Sequence, residues 1–356
     1  MSVAAFDHPI LSGLVGDEAA AALFSIDAEL EAILRFEVAL AEAEAEEGLI
    51  PAEAAREVAH ALPSFKPDLG DLRSAVARDG VLIPALLRQL RQKLSPMAGP
   101  YLHFGATSQD AIDTGLALRL AEGITLIGAR LDILAGGLEA LEHRESATPV
   151  MGHTRMQAAI MVSAGRKIRS WREPLLRHRA RLGTVGAAVT VLTFGGAAGT
   201  LEKLSDKGPA VTARLANKLG LGVVAHARHS ERDGIADFAA FLSLVTGSLG
   251  KLGQDVALMA QNEMGELKLA GGGTSSAMPH KQNPVKAEIL VTLARFNATL
   301  LAGMHQSLVH ENERSGAAWT LEWMLFPQMV VATCAGLRIA SDLVDGLSFV
   351  PRAASN

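Results

Sequence analysis

The residues best able to do chemistry stand together in one loop, residues 271–284, which reads GGGTSSAMPHKQNP. Three consecutive glycines allow backbone angles that are closed to other residues, so we expect the loop to change conformation. Its side chains suit a site that holds a carboxylate and moves a proton beside it. They are Ser275, Ser276, His280, Lys281 and Asn283. A solvated hinge is the alternative, but the order of the residues favours a catalytic loop.

This loop resembles the GSSxMPxKxNP signature of the fumarase/aspartase superfamily. That superfamily includes argininosuccinate and adenylosuccinate lyases and cycloisomerases that act on 3-carboxy-cis,cis-muconate. The resemblance implies that Ser276 transfers the proton and that Lys281 and Asn283 assist it, while His280 or Lys281 are alternative donors. A serine hydroxyl is a poor base by itself, so this role requires nearby cations and N–H groups that stabilise the alkoxide.

A second segment, residues 103–114, reads HFGATSQDAIDT and resembles the HxGxTSxDxxDT segment of the same superfamily. The resemblance implies that His103, Thr107 and Ser108 contact substrate carboxylates, and we place Gln109 in the same group. Another interpretation is that Ser108 or Asp110 caps the helix that follows. Both interpretations fit the sequence, because a helix N-terminus also attracts anions.

The third segment, residues 152–157, reads GHTRMQ and departs from the GRTHxQ motif of the lyases. Arg155 stands where the lyases have a catalytic histidine, and His153 stands where they have arginine. Arginine keeps its charge at any working pH, so Arg155 can clamp a carboxylate but cannot shuttle a proton. We predict a catalytic role for Arg155 and substrate contacts for His153, Thr154 and Gln157, although His153 could instead be a structural core histidine.

Two further stretches resemble the cycloisomerase branch. Residues 311–323 resemble the pattern EHERSxxxWxxEW, with Asn312 in place of its histidine, which implies that Arg314 binds a substrate carboxylate. Residues 194–200 follow FGGxxGT. The resemblance covers about residues 9–346 and implies a cycloisomerase that forms a muconolactone without metal or organic cofactor. An amidine or ammonia lyase of the same superfamily is an alternative that Arg155 opposes. A non-catalytic homologue is another, which the complete signature loop opposes.

Composition excludes several classes of protein. The 356 residues are 49% hydrophobic, enough for a large core, and carry a net charge of −5 with basic and acidic residues interspersed. We therefore expect no nucleic-acid partner, and the small polycarboxylate substrate that the resemblance implies must meet local positive charge. The single cysteine, Cys334, excludes an internal disulfide and favours a reducing cytoplasm. The N-terminus has no basic region before an apolar run, so we predict a cytoplasmic protein without a signal peptide or membrane contact.

Helical periodicity predicts an all-α fold of long helices. The five long helices are expected at 112–143, 155–182, 230–269, 285–305 and 319–345. Apolar residues on several faces of each helix require partner helices, and the glycines at 247, 250 and 253 would permit close contacts. The resemblance implies a homotetramer with shared active sites. It divides the chain into an N-terminal helical domain (1–103), a central long-helix bundle with the signature loop (104–346) and a vestigial C-terminal tail (347–356). The C-terminal domain of the superfamily is therefore expected to be truncated here.

Overall fold

A computed structural model describes residues 3–271, 273–274, 278 and 282–351. Over these residues the all-α fold is confirmed. The α-helices are α1 (Ser12–Val15), α2 (Glu18–Ala22), α3 (Ile26–Glu46), α4 (Ala52–Ala61), α5 (Leu69–Asp79), α6 (Ile83–Arg91), α7 (Ser108–Glu145), α8 (Ala164–Val189), α9 (Gly208–Leu219), α10 (Asp233–Met259), α11 (Val285–Gln306) and α12 (Gly316–Asp345). Short 3₁₀ helices lie at Gly99–Tyr101 and Glu202–Lys207.

Short strands form three antiparallel pairs at the ends of the helices. They are β1 (Pro149–Thr154), β2 (Gln157–Ser163), β3 (Leu267–Leu269), β4 (Gly273–Thr274), β5 (Gln282–Asn283) and β6 (Leu347–Phe349). The pairs are β1 with β2, β3 with β6, and β4 with β5. The β3–β6 pair therefore holds the chain just before the signature loop against the residues that follow α12.

The long helices α7, α8, α10, α11 and α12 pack around one large apolar core, which includes Leu131, Phe241 and Leu290. Two of the three glycines noted in α10 allow its close approach to α11. A Cβ on Gly253 would lie 2.4 Å from the carbonyl oxygen of Ala287, and one on Gly250 would lie 2.5 Å from Cβ of Ala294. Gly247 has no such neighbour, so the prediction holds for two positions of three.

A second core joins helices α3 to α6 to the first turns of α7. It also takes in buried residues between 192 and 221 and the side chain of Trp319. The N-terminal helices thus share their core with chain segments far away in sequence. The domain limits at residues 103 and 346 stay a prediction.

Two of the five predicted long helices are wrong in their bounds. Residues 155–163 were expected to begin a helix, but β1 and β2 form a hairpin and α8 begins only at Ala164. The helix expected over 230–269 is shorter, because α10 ends at Met259, a turn with Gly265 at φ 58° follows, and β3 comes next. The other three helices, α7, α11 and α12, lie within four residues of their predicted ends.

In the described part of the chain, α10, α11 and α12 are long and apolar enough to cross a membrane by length and composition alone. The protein buries 56% and 67% of the apolar windows of α10 and α12, but only 28% of that of α11. Of these three helices, α11 therefore leaves the largest share of its apolar window uncovered within one chain.

Candidate active site

The segment that carries His103, Thr107 and Ser108 leads directly into α7 in an unusual backbone conformation. His103 has φ 64°, which costs a residue with a side chain about 1–2 kcal/mol. A contact with α3 holds it there, since Nδ1 of His103 lies 2.6 Å from Oε1 of Glu37. The loop thus presents its imidazole and its hydroxyls at the amino-terminal end of α7.

Asp110 organises the start of α7. One carboxylate accepts hydrogen bonds from the backbone N–H groups of Thr107, Gly195 and Gly196, each at 2.9 Å, and contacts Nε2 of His229 at 2.7 Å. Thr107 is the N-cap residue of α7, and Asp110 completes a capping box with it from the third helical position. The capping role predicted for Asp110 is confirmed as part of that box, whereas Ser108 is the first residue of the helix and not its cap. Asp110 also ties the glycine-rich stretch 194–200 to the His103 segment.

Gln109 is fully buried and supports Arg314. Its Nε2 donates to Oδ2 of Asp113 at 3.0 Å and to the carbonyl of His229 at 2.8 Å, and its Oε1 accepts from Nε of Arg314 at 2.9 Å. Arg314 also donates to the carbonyl of Ala197 at 3.4 Å and stays exposed. Because Gln109 has no exposed surface, its influence on a ligand acts through Arg314.

A buried ion-pair network lies beneath this surface. The guanidinium of Arg232 donates to Asp113 at 2.6 Å and to Glu322 at 2.6 Å, and Nε1 of Trp319 donates to Asp113 at 3.0 Å. Burial alone would lower the pKa of Arg232, but the two carboxylates outweigh it and raise the pKa. Asp113, Trp319 and Glu322 belong to the motif stretches, and here they hold those stretches together.

The third motif lies at the tip of the β1–β2 hairpin. Thr154 pairs with Gln157, and the two residues between them, Arg155 and Met156, have φ 49° and 64°. Positive φ at both central residues defines a type I′ turn, which usually contains Asn and Gly. The side chains of His153, Thr154, Arg155 and Gln157 are exposed, so the structural-core alternative for His153 is wrong.

A groove of about 580 Å³ separates the hairpin from α8 and α10 and has His153, Thr154, Lys167 and Lys251 in its lining. The base of the signature loop is the β4–β5 pair, in which Gly273 lies opposite Asn283. Ser275, Ser276, His280 and Lys281 lie outside the described residues. Just before the loop, Oε2 of Glu266 lies 3.9 Å from Nζ of Lys167 on α8, so the loop leaves the bundle at the hairpin end.

One chain therefore holds its motifs at two separate ends. His103 precedes α7 and the hairpin follows it, and the 38 residues of α7 span roughly 57 Å at 1.5 Å per residue. Even if the 6 residues of β1 ran straight back along the helix, they would return only about 20 Å. His103 and Arg314 share the first end, while Arg155 and the base of the signature loop share the second.

Sequence reasoning missed Glu37, His229 and Arg232, each of which fixes a motif residue. Each contact joins residues at least 66 positions apart, so no local pattern indicates it. Among the described residues, no group of three or more His, Cys, Asp and Glu side chains is placed to hold a metal ion.

Comparison with known proteins agrees with this architecture. The sequence profile of a family described as lyase matches residues 17–297. A 3-carboxy-cis,cis-muconate cycloisomerase of Pseudomonas aeruginosa is 39% identical over 92% of this chain and 72% of its own length.

Two solved structures are also similar. The 3-carboxy-cis,cis-muconate lactonizing enzyme of Pseudomonas putida has a TM-score of 0.91 and 36% identity over 96% of this chain and 78% of that one. A fumarate lyase of Mesorhizobium sp. BNC1 has a TM-score of 0.88 and 35% identity over 95% and 77% of the two chains. This chain therefore belongs to the lyase family of the fumarase/aspartase superfamily.

Proposed function

We propose that this enzyme is a cycloisomerase that converts 3-carboxy-cis,cis-muconate, or a close anionic analogue, to the corresponding muconolactone in the degradation of aromatic compounds. The observation that carries the proposal is Arg155, an exposed guanidinium on a defined turn at the position where lyases of the superfamily have a histidine. The names of the similar Pseudomonas enzymes support it.

The reaction suits a fixed cation better than a titrating group at this position. One substrate carboxylate forms a C–O bond with the alkene carbon β to another carboxylate, and the π electrons move toward the α carbon. The α carbon then takes a proton from the donor, and solvent finally returns a proton to the donor. No leaving group awaits a proton, so the enzyme mainly has to fold the diene and stabilise the negative charge that develops.

The proposed roles follow from charge and position. Arg155, Arg314, Lys281 and His103 bind carboxylates, and Ser276 delivers the proton. The neutral groups that orient the substrate are Thr107, Ser108, Thr154, Gln157, Ser275 and Asn283. Gln109 acts by holding Arg314.

We further propose a homotetramer in which different chains complete each site. The length of α7 supports this, since the two groups of motif residues in one chain cannot reach one small anion. The apolar surface that α11 leaves uncovered supports it as well. The proposed location is the cytoplasm, because a single free cysteine fits a reducing compartment. We propose no membrane contact.

Incubation with 3-carboxy-cis,cis-muconate tests the proposal. Ultraviolet absorbance of the conjugated diene should fall, and product formed in D₂O should carry one deuterium on the new sp³ carbon. Fumarate, argininosuccinate and adenylosuccinate serve as comparison substrates. Turnover of one of these without lactonisation would establish a lyase instead, and no turnover of any would favour a non-catalytic homologue.

The proton donor can be tested in the same assay. Ser276→Ala should lower kcat at least about a hundredfold with little change in KM, as expected when a positioned proton donor is lost. Near-normal turnover would exclude Ser276, and the variants His280→Ala and Lys281→Met would then identify the donor.

A further inference from the structure

The contact between Glu37 and His103 joins a buried carboxylate to a residue at the candidate site. Oε1 of Glu37 lies 2.6 Å from Nδ1 of His103, and Glu37 is only 1% exposed. This hydrogen bond engages one ring nitrogen and leaves Nε2 as the nitrogen available to a ligand. The His103 side chain keeps 9% of its surface exposed.

Several charged groups surround the ring. Glu37 comes from α3, Asp110 from α7 and Arg91 from α6. Arg91 also donates to the carbonyl oxygens of Gly99 and Leu102, at 3.3 and 3.2 Å, and so holds the backbone that enters His103. Burial opposes the charged imidazole, but the charge and hydrogen bond of Glu37 outweigh it and raise the pKa of His103.

The backbone of His103 adds a second constraint. At φ 64° the residue lies in the left-handed region that side chains disfavour, so the loop would relax without contacts that hold it. Glu37 and Arg91 supply those contacts from two different helices. A rigid, oriented imidazole is therefore present before any ligand binds.

We propose that Glu37 is a positioning residue for His103: its carboxylate accepts a hydrogen bond from Nδ1–H and thereby directs Nε2–H of a charged imidazolium at a carboxylate group of the substrate. The inference rests on the proposed function, because it requires a polycarboxylate ligand. A neutral imidazole that keeps its proton on Nδ1 would present the Nε2 lone pair to that carboxylate and would repel it.

Glu44 provides a matched control on the same helix. It is also fully buried, but neither of its carboxyl oxygens has a hydrogen-bond partner among the described residues. Burial, with a smaller contribution from the charge of Glu37, raises the pKa of Glu44 to about 9. Glu44 is therefore already neutral at pH 7, and Glu44→Gln changes little beyond one atom.

The experiment measures binding of tricarballylate, a saturated tricarboxylate that cannot react, by titration calorimetry from pH 6 to 9. Glu37→Gln should weaken binding at pH 7.5 roughly tenfold to a hundredfold, the size of one charge-assisted hydrogen bond. Glu44→Gln should bind within about twofold of the wild type. In turnover, Glu37→Gln should raise KM by a similar factor and change kcat far less.

The pH dependence separates positioning from a merely structural role. Because the pKa of His103 is raised, binding should weaken as pH rises through that pKa, and in Glu37→Gln this weakening should occur at lower pH. A uniform loss of binding with an unchanged pH profile would overturn the proposal. So would wild-type affinity in Glu37→Gln.

A second variant keeps the test decisive if Glu37→Gln does not fold. Glu37→Asp retains the charge but is too short for the 2.6 Å contact. It should weaken tricarballylate binding in the wild type and have no further effect in His103→Ala, as a coupled pair requires. Equal effects in both backgrounds would overturn the proposal.

Failure of the proposed function would look different from failure of this inference. A protein that binds tricarballylate through Glu37 and His103 but does not lactonise muconate would refute only the reaction. An active enzyme whose Glu37→Gln variant binds and titrates as the wild type does would refute only the role of Glu37.

Discussion

The two ends of α7 are built in opposite ways. At its amino-terminal end, motif residues such as Asp110, Asp113 and Glu322 are buried and paired with His229 and Arg232. At its carboxyl-terminal end the hairpin tip is exposed. The motif residues at the first end thus have their partners within the chain, whereas those at the second end face solvent. We expect this arrangement when the second group acts on another molecule.

The buried network gives the largest expected effect. Arg232→Met should lower the free energy of unfolding by about 3–5 kcal/mol, because Asp113 and Glu322 would be left buried without their partner. Urea denaturation at a fixed protein concentration measures this. The control is Arg179→Met, whose partner Asp132 is exposed and whose loss should cost less than about 1 kcal/mol. Equal losses in the two variants would show that the network does not stabilise this end.

Substitution of Arg155 in the hairpin should lower the activity and leave the stability unchanged. Arg155→Leu should cost about 2–5 kcal/mol in kcat/KM, because a fixed charge on the substrate carboxylate is lost. The free energy of unfolding should stay within about 0.5 kcal/mol of the wild type, since the side chain is exposed. Arg155→Lys should keep the charge and still raise KM. A fully active Arg155→His with a new pH dependence near neutrality would instead identify a proton shuttle and remove the main support for a cycloisomerase.

The contrast between the two ends also explains what the sequence could predict. Helices α7, α11 and α12 follow from long apolar periodicity, so their bounds agree closely with expectation. Residues 157–163, QAAIMVS, are mostly good helix formers or apolar residues, and local pattern could not separate them from α8. The turn at Arg155 and Met156 contains neither Asn nor Gly, so the usual hairpin signal is missing.

The sequence predicted the motif residues of the candidate site, but not the residues that support them. The resemblance identified His103, Arg155 and Arg314 from short stretches of sequence. Their internal partners depend on contacts over long separations, such as 66 residues for Glu37 and 205 for Gln109 with Arg314. Charge and spacing along the chain carry no information on such pairs, because the fold alone brings them together.

Mixed assemblies test whether the two ends meet in different chains. His103→Ala and Arg155→Leu should each be nearly inactive, and the two proteins should be unfolded together and refolded in equal amounts. A site that takes His103 from one chain and Arg155 from another is intact in about one case in four with random mixing. Activity should return to roughly a quarter of that of refolded wild type. Persistent inactivity while the wild type recovers, or light scattering that shows a monomer, would exclude shared sites.

The turn at the hairpin tip gives the smallest expected effect. Met156 is 77% exposed and has φ 64°, so its side chain contributes little packing within the chain and strains the backbone. Met156→Gly should raise the free energy of unfolding by about 0.5–1 kcal/mol, since glycine adopts this conformation without steric cost. Met156→Ile should lower it by a similar amount, because a branched Cβ resists positive φ. Both values come from urea denaturation under the same conditions. A destabilised Met156→Gly would mean that the Met156 side chain makes contacts in the assembled protein, and the hairpin tip would then be a packed surface.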